Sequence, residues 1–325
     1  MNRREFIVAA GSFGAMAPAA AGLTACEEPL ARLGVVSDMH ITDDASCADF
    51  RKALRLFNRR RADAVLATGD LTDHGLMSQL RRVARTWNEV FPGFRRSDGG
   101  RVERFFHYGD HDTFLNFKAR KRFVSDLGLD ADYIPNIGPA KAWEDAFGEK
   151  YEHIVHRRLN GCDFVMAHFR RGPAKVNPHG DNVPGLEPFL EKLGLSGDRP
   201  FFYMQHRIFN GTVERAGHGD RVSWDDGTTT KILSSRPNCI ALCGHGHIPA
   251  TNETSLWRGG FTAVEVPSLF YSIETWLPKV RTDDTKHQAL FMRVYADRTV
   301  VERIDATTGE KLAADWTVNT AQARR

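Results

Sequence analysis

Five short apolar runs in this chain end in aspartate or histidine, side chains that hold metal ions. They are Val35-Val36-Ser37-Asp38-Met39-His40, Val65-Leu66-Ala67-Thr68-Gly69-Asp70, Phe105-Phe106-His107-Tyr108-Gly109-Asp110, Phe201-Phe202-Tyr203-Met204-Gln205-His206 and Ile240-Ala241-Leu242-Cys243-Gly244-His245-Gly246-His247. Mixed carboxylate and imidazole ligation suits manganese, iron, zinc or nickel better than calcium, which prefers oxygen alone. Asp38 and His40 are two apart, so an extended chain would project both to one side, where they can grip one cation. His245 and His247 repeat that spacing. The seven candidates Asp38, His40, Asp70, Asp110, His206, His245 and His247 exceed what one tetrahedral ion takes. The economical solution is two ions sharing a carboxylate, about 3.5–4 Å apart.

Such a site needs strands to carry it. Continuous apolar runs mark parallel strands buried on both faces, and open α/β sheets place ligands at the carboxyl ends of those strands. Apolar periodicity predicts helices over about 48–61 and 76–90, and another from Pro184 to Leu193. The intervals of 32 residues from Asp38 to Asp70 and 40 from Asp70 to Asp110 fit right-handed crossovers, since a β-α-β unit takes about 30 or more. After His247 the pattern partly alternates at 262–266, 290–295 and 299–304, with turn residues such as Asp297-Arg298 between. These stretches predict antiparallel strands completing a second sheet.

With 42% hydrophobic residues in 325, the chain can bury a substantial core. No repeat or long linker interrupts it, so residues 27–325 read as a single domain. Forty-four Lys and Arg against 41 Asp and Glu leave +3, too little to argue for nucleic acid, and no nucleic-acid-binding module is expected. Arg59-Arg60-Arg61 abuts a helical pattern and reads as a solvated face. Cys239 and Cys243 would lie about 13 Å apart along a strand, too far for a disulfide, and read as core residues.

The order of the motifs resembles the calcineurin-like metallophosphoesterases. The residues that carry the likeness are Asp38-x-His40, Gly69-Asp70-x-x-Asp73, Gly109-Asp110-His111-Asp112, the lone His206 and Gly244-His245-x-His247, spread over roughly 33–270. The resemblance implies an α/β fold, a four-layer α/β/β/α sandwich with two mixed sheets. It also implies hydrolysis of a phosphoester, diester or monoester, by a hydroxide bridging two transition-metal ions, with manganese, iron or zinc expected. Carried over by position, Asp38, His40 and His247 hold one ion, Asp110, His206 and His245 the other, and Asp70 bridges. His111 resembles the non-ligand histidine that protonates the leaving oxygen, and Asp73 the carboxylate that orients it.

One position departs from the pattern. Asp110 stands where the family has Asn, which makes the dinuclear centre one unit less positive and predicts a poorer trap for phosphate dianions. The alternative for the whole set is a non-catalytic metal-binding interaction module of the same fold, but such a module has no use for His111. Other residues carry weaker readings. His168 could compete with His206 or, with Arg170 and Arg171, bind phosphate, although a structural histidine is favoured. His74 reads as a neighbour of the site or as exposed, and His107 as pointing away from it. Trp224, Trp257, Phe270 and Tyr271 could line a cleft, but read first as core.

At the N-terminus, Arg3-Arg4-Glu5-Phe6 precedes a Gly- and Ala-rich apolar stretch to Leu23 and resembles a twin-arginine export signal. Leu23-Thr24-Ala25-Cys26 resembles a bacterial lipobox, in which Cys26 would carry a lipid anchor. Residues 1–26 are therefore expected to be an export signal that sends the chain to the periplasm or cell envelope of a bacterium.

Overall fold

The computed structural model describes residues 27–113, 118–170, 183–195, 197, 199–213, 227–276, 279–281 and 287–320. The expected export signal with Cys26, and also Arg171 and Trp224, lie outside the described residues. In chain order the strands are β1 (Ala31–Val36), β2 (Ala64–Thr68), β3 (Glu103–His107), β4 (Ile154–Leu159), β5 (Cys162–Ala167), β6 (Phe201–Met204), β7 (Cys239–Cys243), β8 (Leu256–Arg258), β9 (Thr262–Glu265), β10 (Ile273–Trp276), β11 (Lys279–Arg281), β12 (Gln288–Val294), β13 (Arg298–Asp305) and β14 (Trp316–Asn319). They form two six-stranded sheets, ordered β14-β13-β12-β1-β2-β3 and β4-β5-β6-β7-β9-β8, plus the small β10-β11 ribbon. Both large sheets are mixed. β1, β2 and β3 run parallel, as do β5, β6, β7 and β9, and antiparallel strands complete each sheet.

The apolar runs bury both faces because each sheet is covered on both. Leu33, Val35, Ala64, Leu66 and Phe105 point between the sheets, where they meet Phe164, Phe202, Met204, Ile240 and Leu242. Their alternates Val36, Val65, Ala67 and Phe106 meet the helices α1 (Cys47–Arg59) and α2 (Met77–Val90). On α1 the residues Phe50, Ala53, Leu54 and Phe57 recur at helical spacing and are all buried. Gly34 lies directly beneath Phe57, where a Cβ would stand 2.4 Å from the ring. A third apolar cluster packs the outer face of the second sheet against helices Leu186–Leu193 and Thr228–Ser234. The layers therefore run helix, sheet, sheet, helix, as the resemblance implies.

Two expectations need correction. The stretch near 262–266 forms β9, which is parallel to β7 and antiparallel only to the short β8. β12 and β13 are antiparallel, but they extend the first sheet beside β1 and do not complete the second. Alternation reports how a strand's faces are covered, not which strand it pairs with. The free cysteines Cys47, Cys162, Cys239 and Cys243 are all buried, in keeping with core roles. Arg60 pairs with Glu302 at 3.0 Å and Arg61 with Asp98 at 3.1 Å, so the basic run is met by carboxylates. Among the described residues no helix is long and apolar enough to cross a membrane.

Candidate metal centre

All seven candidate ligands lie just past a strand end, three positions on at Asp110 and two or four at the others. The ends of β1, β2 and β3 from one sheet and of β6 and β7 from the other bring them together. Six are almost fully buried, and His245 is partly so. The backbone there is not extended. Asp38, His40, Asp70, His245 and His247 all have positive φ, at 48°, 45°, 48°, 71° and 57°. Left-handed backbone costs a non-glycine residue roughly 1–3 kcal/mol and persists where the surroundings impose it, often at functional sites. The expectation that Asp38 and His40 share a side because they lie in extended chain is therefore corrected. His245 and His247, with the same spacing, turn toward different groups.

The ligand atoms form two groups, each within 4.8 Å: Asp38, His40 and His247 in one, and Asp70, Asp110, His206 and His245 in the other. Asp70 reaches toward both. Its Oδ1 is 3.2 Å from His206 Nε2, and its Oδ2 is 3.7 Å from His40 Nε2. Glycines make this convergence fit. Gly69 has φ +92°, and a Cβ on Gly109 would stand 2.2 Å from Asp70 N and Oδ1.

The hydrogen bonds around the rings decide what the site can hold. His40 Nδ1 meets Asp73 Oδ1 at 2.8 Å, His206 Nδ1 meets the Thr68 carbonyl at 2.8 Å, and His247 Nδ1 meets the Tyr271 carbonyl at 3.0 Å. Each acceptor claims the Nδ1 proton, which leaves a lone pair on each neutral Nε2. Those lone pairs face other acceptors. His40 Nε2 is 3.3 Å from His247 Nε2, and His247 Nε2 is 3.2 Å from Asp38 Oδ1. His206 Nε2 and Asp110 Oδ1, 3.4 Å apart, are buried with no hydrogen bond among the described residues. Acceptors that converge without donors are arranged for cations, so the donor set fits two metal ions. In the ion-free protein the same carboxylates draw positive charge onto the rings, where a bound metal ion would take the place of the proton. Burial alone would lower the His206 pKa, yet the Asp70 and Asp110 carboxylates pull it well above the usual value. Burial, the largest single effect, would raise the Asp38 pKa, but His247, His206 and His40 together hold it far below the usual carboxylate range.

Surrounding groups fix the carboxylates. Asp38 Oδ2 accepts from the Ser37 hydroxyl at 2.5 Å and the His245 amide at 3.0 Å, and Asp70 Oδ1 accepts from the His111 amide at 2.8 Å. Asp112 supports the surrounding loops, a role its place in the motif did not reveal. Fully buried, it accepts hydrogen bonds from the amides of Leu71, Thr72 and Gly109 and from the Thr72 hydroxyl, and so ties the loop after β2 to the loop after β3. Burial and the neighbouring Asp70 charge push its pKa up to about 7. Arg207, next to His206, places its guanidinium 2.5 Å from Asp110 Oδ2. No spacing rule marks that pair in the sequence.

His111 stands at the open side, with its ring edge-on to His40 at 4.4 Å between centroids. Its Nδ1 donates to the Asp73 carbonyl at 2.9 Å, and its Nε2 lies 4.0 Å from Asp70 Oδ2. The Asp73 carboxylate sits between two rings, 2.8 Å from His40 Nδ1 and 3.4 Å from His111 Nδ1. It is held well below the usual range, since bonds to His111 and His40 overcome partial burial. His74 also faces Asp73, at 3.3 Å.

His168 joins neither group. Its Nδ1 accepts from the Tyr108 amide at 3.1 Å, and its ring packs among Tyr108, Trp143 and Tyr151, so it is a structural residue. His107 is buried and bonded to the Tyr108 carbonyl, with its pKa lowered to about 3 by burial. Phe270 and Tyr271 do border the first group: Tyr271 lies 4.4 Å from the His247 ring, and Phe270 is 46% exposed beside His40. Trp257 packs on Phe261, against the outer core of the second sheet.

A sequence profile described as "Calcineurin-like phosphoesterase" matches residues 31–249. Curated proteins gave no match. Among solved structures, a dimetal phosphatase from Danio rerio is similar with TM-score 0.53 at 15% identity, covering 90% of this chain and 100% of its own. A purple acid phosphatase from yellow lupin (Lupinus luteus) seeds gives 0.56 at 14%, over 89% of this chain and 53% of its own. GAP50, the anchor in the inner membrane complex of Plasmodium, gives 0.53 at 9%, over 89% and 88%.

Proposed function

Because the chain belongs to the calcineurin-like phosphoesterase family, we propose that it hydrolyses a phosphoester, monoester or diester, at a site for two transition-metal ions. Asp38, His40 and His247 hold one ion, Asp110, His206 and His245 the other, and Asp70 lies between with one oxygen toward each. Manganese, iron or zinc suits this mixture of imidazole and carboxylate. The carrying observation is the set of Nε2 lone pairs and carboxylate oxygens that face one another at 3.2–3.7 Å with no donor among them. Once bound, such ions supply Lewis acidity that lowers the pKa of water and neutralises charge on phosphoryl oxygens.

The chain's own residues do the rest. Asp73 and the carbonyls of Thr68 and Tyr271 fix the tautomers of the ligating rings, which keeps each Nε2 directed inward. His111 Nδ1 is committed to the Asp73 carbonyl, so Nε2 is the atom that protonates the departing oxygen. The exposed ring of Phe270 offers an apolar face to the group that leaves. GAP50 is described as an anchor, which keeps a non-catalytic module as the competing reading. An inward His111 beside the shared carboxylate favours catalysis.

The test is to load the protein with manganese, iron or zinc and assay a panel of phosphomonoesters and phosphodiesters beside Asp70→Asn. Hydrolysis by the wild type that disappears in the variant supports the reading. Equal rates in both, or none with any ion, would refute it.

Export by the twin-arginine route, with lipid attachment at Cys26, is proposed on residues 1–26 alone. A reporter fused after that segment should reach the cell envelope of a bacterium and lose its membrane association on Cys26→Ser. A reporter left in the cytoplasm would remove this part of the account and leave the chemistry untouched.

A further inference from the structure

Asp110 brings a third carboxylate to the centre, and the structure places a buried cation directly behind it. Asp110 is 1% exposed and Arg207 5%. The two oxygens of Asp110 face opposite partners. Oδ1 points at His206 Nε2, 3.4 Å away, and has no hydrogen bond among the described residues, while Oδ2 takes the Arg207 guanidinium at 2.5 Å and lies farther, 3.8 Å, from His245 Nδ1. Arg207 is held in place from several sides. The Gln205 amide donates to its carbonyl at 2.9 Å, the Tyr203 hydroxyl donates to Gln205 at 3.2 Å, and the Phe169 ring lies 5.4 Å from its guanidinium. Burying one member of such a pair without the other would leave an uncompensated charge, which is strongly destabilising.

We propose that Arg207 is a positioning residue that makes Asp110 act as a neutral, one-oxygen ligand: its guanidinium holds Oδ2 and cancels the charge, leaving Oδ1 for the second ion. The Asp110–Arg207 pair then does what an amide does at that position, with the same net charge. The loss of positive charge expected from Asp110 alone does not reach the substrate, so the centre keeps its attraction for phosphate dianions. This inference rests on the two-ion reading of the site and adds to it a residue outside the ligand set.

The test is a double-mutant cycle read by metal binding to the ion-free protein, with cobalt absorption as the report of ligand geometry. Asp110→Asn leaves Arg207 in place and makes the site one unit more positive, so affinity for the second ion should fall about 10–100-fold. Arg207→Gln removes the compensating charge, so affinity for the cation should hold or rise. Asp110→Asn with Arg207→Gln should return to within about threefold of the wild type. Arg207→Lys, which keeps the charge, should bind the second ion as the wild type does even where melting shows lost packing. Additive losses in both single variants, with no recovery in the double, would overturn the inference and leave the two-ion site standing. Absence of ion binding in every variant, wild type included, would overturn the two-ion reading and the inference with it.

Discussion

Asp73 Oδ1 lies 2.8 Å from His40 Nδ1 and 3.4 Å from His111 Nδ1, so the carboxylate serves the ligand ring more closely than the ring beside it. A carboxylate behind a ligating histidine fixes its tautomer and raises its basicity. Asp73→Ala should therefore weaken binding of the ion held by His40 about 10–100-fold, besides slowing hydrolysis. Calorimetric titration with manganese checks this. A variant with unchanged affinity and reduced turnover would confine Asp73 to His111.

His111 lies outside the groups Asp38, His40, His247 and Asp70, Asp110, His206, His245; its ring clusters with His40 and Asp73, and its amide bonds to Asp70. His111→Gln should keep the metal content and lose about 10²–10⁴-fold in kcat. The loss should be largest for esters with basic leaving groups, because those need the proton most. A uniform loss across leaving groups would place His111 in binding instead.

Gly109 has no room for a side chain, since a Cβ would stand 2.2 Å from Asp70 N and Oδ1. Gly109→Ala should displace Asp70 and cost about 1–3 kcal/mol of stability. Its signature should be loss of both ions together, measured by metal analysis after gel filtration, because Asp70 faces both groups. Retention of one ion would show that Asp70 serves a single group.

His153, just before β4, has both ring nitrogens buried without hydrogen-bond partners among the described residues, and burial, helped by Arg170, lowers its pKa to about 4. The unfolded chain takes up that proton near the ordinary value of 6.5, so the stability tied to the neutral ring is complete above about 6.5 and lost as pH falls toward 4. His153→Gln should gain on the wild type in Tm as pH drops through that window. Parallel curves from pH 7 to 4.5 would contradict the assignment.

The sequence made the strands, the order of the motifs and the identity of the converging residues legible, because each candidate ligand follows a run too apolar for anything but a strand covered on both faces. Helices at 48–61 and 76–90 fall within two residues of those observed at Cys47–Arg59 and Met77–Val90. Strand partners were not legible. β9 and the β12–β13 pair took unexpected neighbours because alternation encodes burial and carries no register. The left-handed turns at five candidate ligands were hidden for a different reason. They are imposed by packing of two sheets and by glycines whose close neighbours come from distant segments, as Gly109 meets Asp70. Arg207 was hidden in the same way, 97 positions from Asp110.

The proposed reading requires two ions acting together at this site. Titrating the ion-free protein with manganese while following phosphoester hydrolysis tests it most directly. Activity should be slight at one equivalent, full at about two, and absent at any ratio in Asp70→Asn. Full activity at one equivalent, or hydrolysis that survives in Asp70→Asn, would contradict this reading.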